Sequence, residues 1–328
     1  MKKTTLLSIL VVAGQLTIGV VAEAQQPAKI PRIGFLGAAS ASALTGRLNA
    51  LRQGLHDLGY IDGKTISIEY RYADGNPDRL SHLAAELVDL KVDVVITSST
   101  PSVLAIKKAS ATMPIIFTTI SHPVENGIIA SFARPGGNVT GLTNLTETLS
   151  GKRLELLKEV APKVIRIGIL SDLSNPTQPQ EWKEIQAAAL GLGLKLQSLG
   201  VRTGSDFGRA LDSAIKERAQ ALLNLSHPLI LTHSKRIVEF AAKNKLPAMY
   251  TSREYTDVGG LMFYARDQTE AYNRVAVFVD KILKGTKPGD IPVEQPRKFE
   301  FVVNLKAAKQ IGLTIPPNVL VRADKVIK

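Results

Sequence analysis

Four short segments of this sequence place hydroxyl, amide or imidazole side chains directly ahead of a proline. They are Ser98-Ser99-Thr100-Pro101-Ser102, Ser121-His122-Pro123, Ser174-Asn175-Pro176 and Ser226-His227-Pro228. A small polar residue followed by proline opens a helix, and the first N–H groups of a helix are unpaired and sit at the positive end of its dipole. Such a loop offers hydroxyls and amides to a carboxylate or another polar solute. Each segment alone is equally an ordinary helix cap, with Thr100 the expected N-cap of the first. Two fall in each half of the chain, which is what a cleft between two lobes requires. Arg253, Glu254 and Tyr255 form a further polar cluster after an apolar run at residues 248–250, and they read equally well as a ligand clamp or a solvated loop.

Catalytic patterns are weak beside these. The five histidines show no His-Glu-x-x-His or comparable spacing, and there is no cysteine, which removes disulfides, thiolate chemistry and Cys-based zinc sites together. Gly59 to Thr65 resembles a phosphate loop but has three residues between its glycines and lies between a helix and a strand, so it reads as a turn. No Gly-x-Ser-x-Gly elbow occurs, and no carboxylate pair stands beside a base. A hydrolase working through Ser99 or Thr100 would lack a partner base. No catalytic residue, metal site or cofactor is expected.

The elements that must carry the loops alternate. Ile33 to Leu36 is a short apolar strand, and Leu44, Leu48, Leu51, Leu55 and Leu58 then recur at spacings of four and three, one buried helical face closed by Gly59. Ile66, Ile68 and Tyr70 alternate as a strand, Leu80 to Leu90 returns to helical spacing, and Val92 to Thr97 is apolar again. After Arg153 the pattern restarts: helix 154–160, strand 165–170, helix 182–192, strand 195–201, helix 207–218 and strand 221–225. Strand-helix alternation of this kind builds parallel sheets covered by helices, so the fold class is α/β with two doubly wound units. Trp182, on a helix, is expected to pack rather than to stack on a ligand.

Lys2 and Lys3, the apolar run Leu6 to Val21 and Ala22-Glu23-Ala24 have the order of a cleavable secretory signal over residues 1–24. A soluble periplasmic protein is expected, with about 300 residues left after cleavage, enough for two domains. The formal charge of +12 raises the question of nucleic acid, but the basic residues are scattered among acids with no run and no recognition helix. No nucleic-acid partner is expected.

Several stretches carry a resemblance: Ile33-Gly34-Phe35-Leu36, Gly54 to Gly59, Tyr70-Arg71 with Asp78-Arg79-Leu80, Arg134-Pro135-Gly136-Gly137-Asn138-Val139-Thr140-Gly141, Lys152 to Leu157, Gly259 to Met262, Ile282 to Gly285 with Pro288, and Phe299 to Gly312. In this order the chain resembles the ABC transporter substrate-binding proteins whose better-known members bind tryptophan or other aromatic amino acids. The resemblance implies a type I periplasmic-binding-protein fold with three chain crossings, which replaces two serial units by interleaved lobes: residues 29–143 plus 264–290, and residues 144–263 plus 291–328. It also implies a monomer that closes on a small-molecule ligand and delivers it to an ABC permease in the inner membrane. A periplasmic sensor reporting to a membrane receptor is the alternative. By position, the first lobe would bind through Ser98, Ser99, Thr100, Ser102, Thr119 and His122, and the second through Asn144, Asp172, Asn175, Ser226 and Glu254. One departure is His122, where many relatives carry an aspartate able to hold a ligand's amino group. A protonated histidine cannot do so, which puts an ordinary amino acid ligand in question.

Overall fold

The computed structural model describes residues 29–328 apart from 144–145 and 296–297. Residues 1–24, the expected export signal, and Asn144 lie outside the described residues. The first sheet is fed by β1 (Arg32–Gly37), α1 (Ala41–Asp57), β2 (Ser67–Tyr72), α2 (Leu80–Asp89), β3 (Val94–Thr97), α3 (Thr100–Ala109), β4 (Ile115–Ile120) and β5 (Val139–Thr143). The chain then passes through α4 (Thr146–Val160), β6 (Arg166–Asp172), α5 (Gln178–Gly191), β7 (Lys195–Val201), α6 (Phe207–Lys216), β8 (Ala221–Asn224), α7 (Pro228–Thr232) and α8 (Ser234–Lys243). It ends with β9 (Ala248–Tyr250), α9 (Arg253–Asp257), β10 (Met262–Arg266), α10 (Gln268–Leu283), β11 (Phe299–Asn304), α11 (Leu305–Gln310), α12 (Pro317–Leu320) and β12 (Lys325–Ile327).

Five parallel strands in the order β2-β1-β3-β4-β5 make the first sheet. The second has seven, β12-β11-β10-β9-β8-β6-β7, parallel except where β11 runs against β10. Each sheet carries helices on its faces, so the expected α/β architecture of two parallel-sheet lobes is present, with one antiparallel pair added. Central strands buried on both faces need continuous apolar sequence, as in Val94-Val95-Ile96 of β3 and Ala221-Leu222-Leu223 of β8. Four of the five leucines of the expected stripe are buried, Leu44, Leu48, Leu51 and Leu55 at most 3% exposed, and each such side chain removed from water contributes about 1.5–3 kcal/mol. Leu58 is 43% exposed instead, because α1 ends at Asp57 and Leu58 is its C-cap. Its partner is α10, where Gly54 lies so close that a Cβ there would stand 2.8 Å from the carbonyl oxygen of Asn273.

The chain crosses between the lobes three times: after Thr143, after Arg266 and between Glu294 and Phe299. The crossing strands are strapped together. Thr143 N–H donates to the Glu294 carbonyl (2.9 Å), Glu294 N–H to that of Gly141 (3.0 Å), and Asp267 N–H to that of Lys298 (3.1 Å). Buried Arg266 donates through Nη1 to the Thr143 carbonyl, and burial draws its pKa down to about 10. The second crossing falls later than the expected residue 264, because Tyr264, Ala265 and Arg266 still pair with Phe301, Glu300 and Phe299 of β11. The third falls later than 291 for a similar reason, since Val293 N–H still donates to Phe132 in the first lobe.

Candidate ligand cleft

Parallel strands point their carboxyl ends one way, and here those ends face each other across the gap between the lobes, the position where open α/β sheets bind ligands. Ser98 after β3, Thr119 in β4 and Ser226 after β8 meet there with Arg47, His227, Thr251 and Tyr255 around a cavity of about 30 Å³. That is room for little more than a water, and a larger space of about 520 Å³ that shares Arg47 lies between the lobes beside it, between α1 and α9. Three contacts hold the closed arrangement: Ser40 N–H donates to Thr232 Oγ1 (3.3 Å), Arg47 Nε donates to Glu254 Oε1 (2.5 Å), and His122 Nε2 lies 3.3 Å from Glu184 Oε1. Each joins one lobe to the other.

The expected site residues divide by where their polar atoms go. Ser98, Thr119 and Ser226 line the cavity. Ser99 and Ser102 are buried and spend their hydroxyls on each other (2.7 Å), and Ser99 Oγ also accepts the Ser102 amide (3.2 Å). Ser99, not Thr100, is therefore the N-cap of α3, with Pro101 in the first turn. Thr100 is buried at the start of the helix. Asp172 accepts the amide (2.9 Å) and hydroxyl (2.5 Å) of Ser174, and Asn175 Oδ1 accepts those of Thr177 (3.0 and 2.9 Å), turns that aim the chain into α5. His122 and Glu254 serve as the lobe bridges just described. A Ser99→Ala variant should accordingly lose about 1 kcal/mol of stability, the usual cost of a lost N-cap, with little change in ligand affinity. Urea denaturation beside a binding titration checks this, and a large affinity loss at unchanged stability would contradict it.

Thr119 and His122 have positive φ, 52° and 51°. A β-branched threonine rarely adopts this conformation, and here it marks a bulge: the pairing of β4 with β5 slips between Phe117 and Ile120. The bulge turns Thr119 toward the cleft, and strain of this kind gathers at ligand sites.

On the second lobe the cleft wall rests on a buried polar network. His227 Nδ1 accepts the Asp172 amide (3.1 Å), which places the imidazole proton on Nε2, donated to Glu181 Oε2 (2.8 Å). Glu181 Oε1 takes the Thr177 hydroxyl (2.9 Å). Burial works against ionisation of Glu181, but His227 and the Thr177 hydroxyl outweigh it and hold the carboxyl below its ordinary pKa. Arg153, buried on α4, donates to the Tyr264 carbonyl (2.8 Å), and desolvation draws its pKa down to about 10 against the pull of Glu181. Glu184 follows Glu181 by three residues on the same helix, so both Ser-His-Pro loops, one from each lobe, end on one side of α5. Farther along the wall, Asn224 Nδ2 donates to Thr251 Oγ1 (2.8 Å) and Tyr255 OH (3.1 Å), and Tyr255 stacks on Tyr250 at 4.8 Å.

Arg47, Glu181, Glu184, Thr251 and Tyr255 are absent from the site expected by sequence, although Tyr255 stands in the polar cluster singled out there. Arg47 had a signal: it sits three residues after Leu44 and four before Leu51, inside the apolar stripe, and it is 9% exposed. Burial opposes its charge, but Glu254 and Tyr272 more than compensate and its pKa is raised. Trp182 packs against the second-lobe core, as expected. Among the described residues no group of three or more His, Asp or Glu is placed to hold a metal ion, and no helix is long and apolar enough to cross a membrane.

Comparison with known proteins agrees with this geometry. A curated tyrosine-binding protein of Clostridioides difficile is 27% identical over 259 residues, 79% of this chain and 74% of that one. A crystal structure of a conserved domain protein from Vibrio cholerae superposes with a TM-score of 0.83 at 27% identity, covering 91% of this chain and all of that one. A second structure, of an ABC domain from Streptococcus pneumonia in complex with L-Trp, gives 0.81 at 26% identity over 90% of this chain and 99% of its own. The family model described as ABC transporter substrate binding protein matches residues 33–327, nearly all of the described chain. With the two facing parallel-sheet lobes, this establishes that the chain belongs to the ABC transporter substrate binding proteins, a family that binds solutes and does not catalyse reactions.

Proposed function

We propose that this protein is the solute-capturing component of an ABC importer, exported through residues 1–24 to the periplasm, where it closes on a small carboxylate-bearing ligand of the amino-acid class and hands it to the permease. The observation that carries the reading is the convergence of Ser98, Thr119, Ser226, Thr251 and Arg47 from both lobes on one cavity, sealed by contacts that exist only when the lobes are together. Hydroxyls and the guanidinium of Arg47 suit a carboxylate. The amino-acid class draws its support from the relatives, one a tyrosine-binding protein and one in complex with L-Trp. His122 does not oppose that class by repelling an ammonium group, because it faces Glu184. The first lobe comprises residues 29–143 and 267–294, the second residues 146–266 and 298–328.

Ligand contacts made only in the closed form shift the equilibrium toward closure. The permease then distinguishes loaded from unloaded protein by shape. L-tyrosine or L-tryptophan at a hundred times its Kd should stabilise the folded protein by about 2.7 kcal/mol, read as a rise in Tm. Arg47→Met should weaken the same ligand at least tenfold. An amino-acid panel that never moves Tm, together with native mass spectrometry of the purified protein showing a non-amino-acid ligand, would replace the proposed class.

A further inference from the structure

Between β2 and α2 the chain makes a short loop in which Gly75 is buried although Asp74 and Asn76 on either side are exposed. Its cover comes from the other lobe. A Cβ at Gly75 would stand 3.3 Å from each of three atoms, Leu229 Cα, Leu229 Cδ1 and Thr232 Oγ1, and all three belong to α7. Beside it the Ser40 amide donates to Thr232 Oγ1 (3.3 Å), so first-lobe backbone meets α7 at two points. Neither side of this contact can give way within its own lobe. The amides of Ala73 and Gly75 donate to the carbonyls of Gly37 and Ala38 (2.8 Å each), which ties the loop to the end of β1. Leu229, Ile230 and Leu231, all buried, anchor α7 in its core. Packed cores do not yield to added atoms without cost, so a side chain at residue 75 is relieved by parting the lobes.

We propose that Gly75 is a positioning residue for closure: its missing side chain lets the second lobe seat against the first, and so sets ligand affinity from a rim contact outside the cleft. Gly75 lines neither the small cavity nor the larger space beside it. The inference rests on the reading that the protein binds by closing. Apparent affinity scales with the population of the binding-competent form, so whatever disfavours the closed form weakens every ligand alike. Gly75 has φ of 77°, and a substitution there also strains the backbone. Gly63 supplies the comparison: it is exposed, has the same φ of 77°, and a Cβ there meets nothing within 4 Å, so it carries the strain without the contact.

The test compares Gly75→Leu with Gly63→Leu in the full mature chain, by two measurements. The first needs no ligand. Ser40→Cys and Thr232→Cys place two thiols at the rim of a protein that has no other cysteine, and the rate at which a short bis-maleimide joins them reports closing. That rate is expected to fall about tenfold or more in Gly75→Leu and to stay within about twofold of the parent in Gly63→Leu. The second is isothermal titration with L-tyrosine and L-tryptophan, where Gly75→Leu should bind about tenfold more weakly or worse and Gly63→Leu as the native protein does, although both lose Tm alike. Should Gly75→Leu not fold, Gly75→Asn against Gly63→Asn repeats the comparison with a residue that tolerates positive φ. Equal joining rates in the two variants would overturn the inference, as would equal affinities, and so would a native pair of thiols that is never joined. If neither amino acid binds the native protein while the joining rates differ as expected, the amino-acid reading falls and the role of Gly75 stands.

Discussion

Replacing Gly141 with alanine is expected to cost about 4 kcal/mol or more, or to leave no folded protein, a loss of the size reserved for a few specific defects. A Cβ at this position would stand 2.0 Å from the carbonyl oxygen of Phe117 and 2.7 Å from its amide nitrogen, and the residue has φ of 150°. The obstacle is backbone, so no side chain can swing aside. Moving it would undo the β4 bulge and with it the placement of Thr119 on the cleft wall. Gly137→Ala provides the comparison: it shares the Arg134 to Gly141 segment, but a Cβ there meets nothing within 4 Å and only φ of 61° counts against it. A loss of about 1 kcal/mol is expected for Gly137→Ala, of the order of the left-handed backbone penalty alone. Chemical denaturation of both variants decides, and equal losses would show that the close approach to Phe117 does not matter.

Replacing Glu181 with alanine should have the next largest effect. Removing one partner from a buried pair leaves the other without compensation, at about 3–5 kcal/mol. His227 would keep an Nε2 proton with no acceptor, Thr177 would lose its hydroxyl partner, and Arg153 would lose a carboxylate whose charge offsets its burial. Glu181→Gln, which keeps an oxygen for Thr177, should lose less. The effect depends on pH in a defined direction. Because the folded-state pKa of Glu181 is depressed, its contribution is complete above the unfolded value of about 4.3 and is lost as pH falls through the lower folded value. Stability of the native protein should therefore fall more steeply than that of Glu181→Ala below about pH 4.3. Parallel slopes in urea titrations at pH 3 to 7 would remove Glu181 from the acid sensitivity.

Local pattern was enough for the elements at residues 33–97 and 154–225. The α1 stripe is read directly from leucine spacing, and Ser98 and Ser226 are found because strand ends are where α/β folds bind. What local pattern does not supply is the fate of each polar atom. Ser99 and Ser102 look as available as Ser98, yet three-residue spacing at a helix start lets them satisfy each other, while Ser98, just outside the cap, stays turned to the cavity. The partner of His122 lies on α5 in the other lobe, 62 positions on, and only closure brings them together. Likewise the second crossing comes after Arg266 instead of at Tyr264, because antiparallel pairing with β11, more than thirty residues later, keeps β10 in its sheet. Arg47 was legible in principle, as a charge in an apolar stripe is either a misfit or one end of a buried pair.

The packing of α1 against α10 also bears on the order in which the molecule can be made. The α1 stripe is covered by Ala271, Tyr272, Val275, Ala276, Phe278 and Val279 of α10, which belong to the same core cluster. A chain emerging from its amino end, whether from a ribosome or through a narrow channel, reaches Leu283 only at position 283 of 328. Until then the part of α1 and the first sheet that α10 covers stays open, although α2 and α3 already cover the sheet's other face. The lobe that begins first is thus completed only once α10 has arrived.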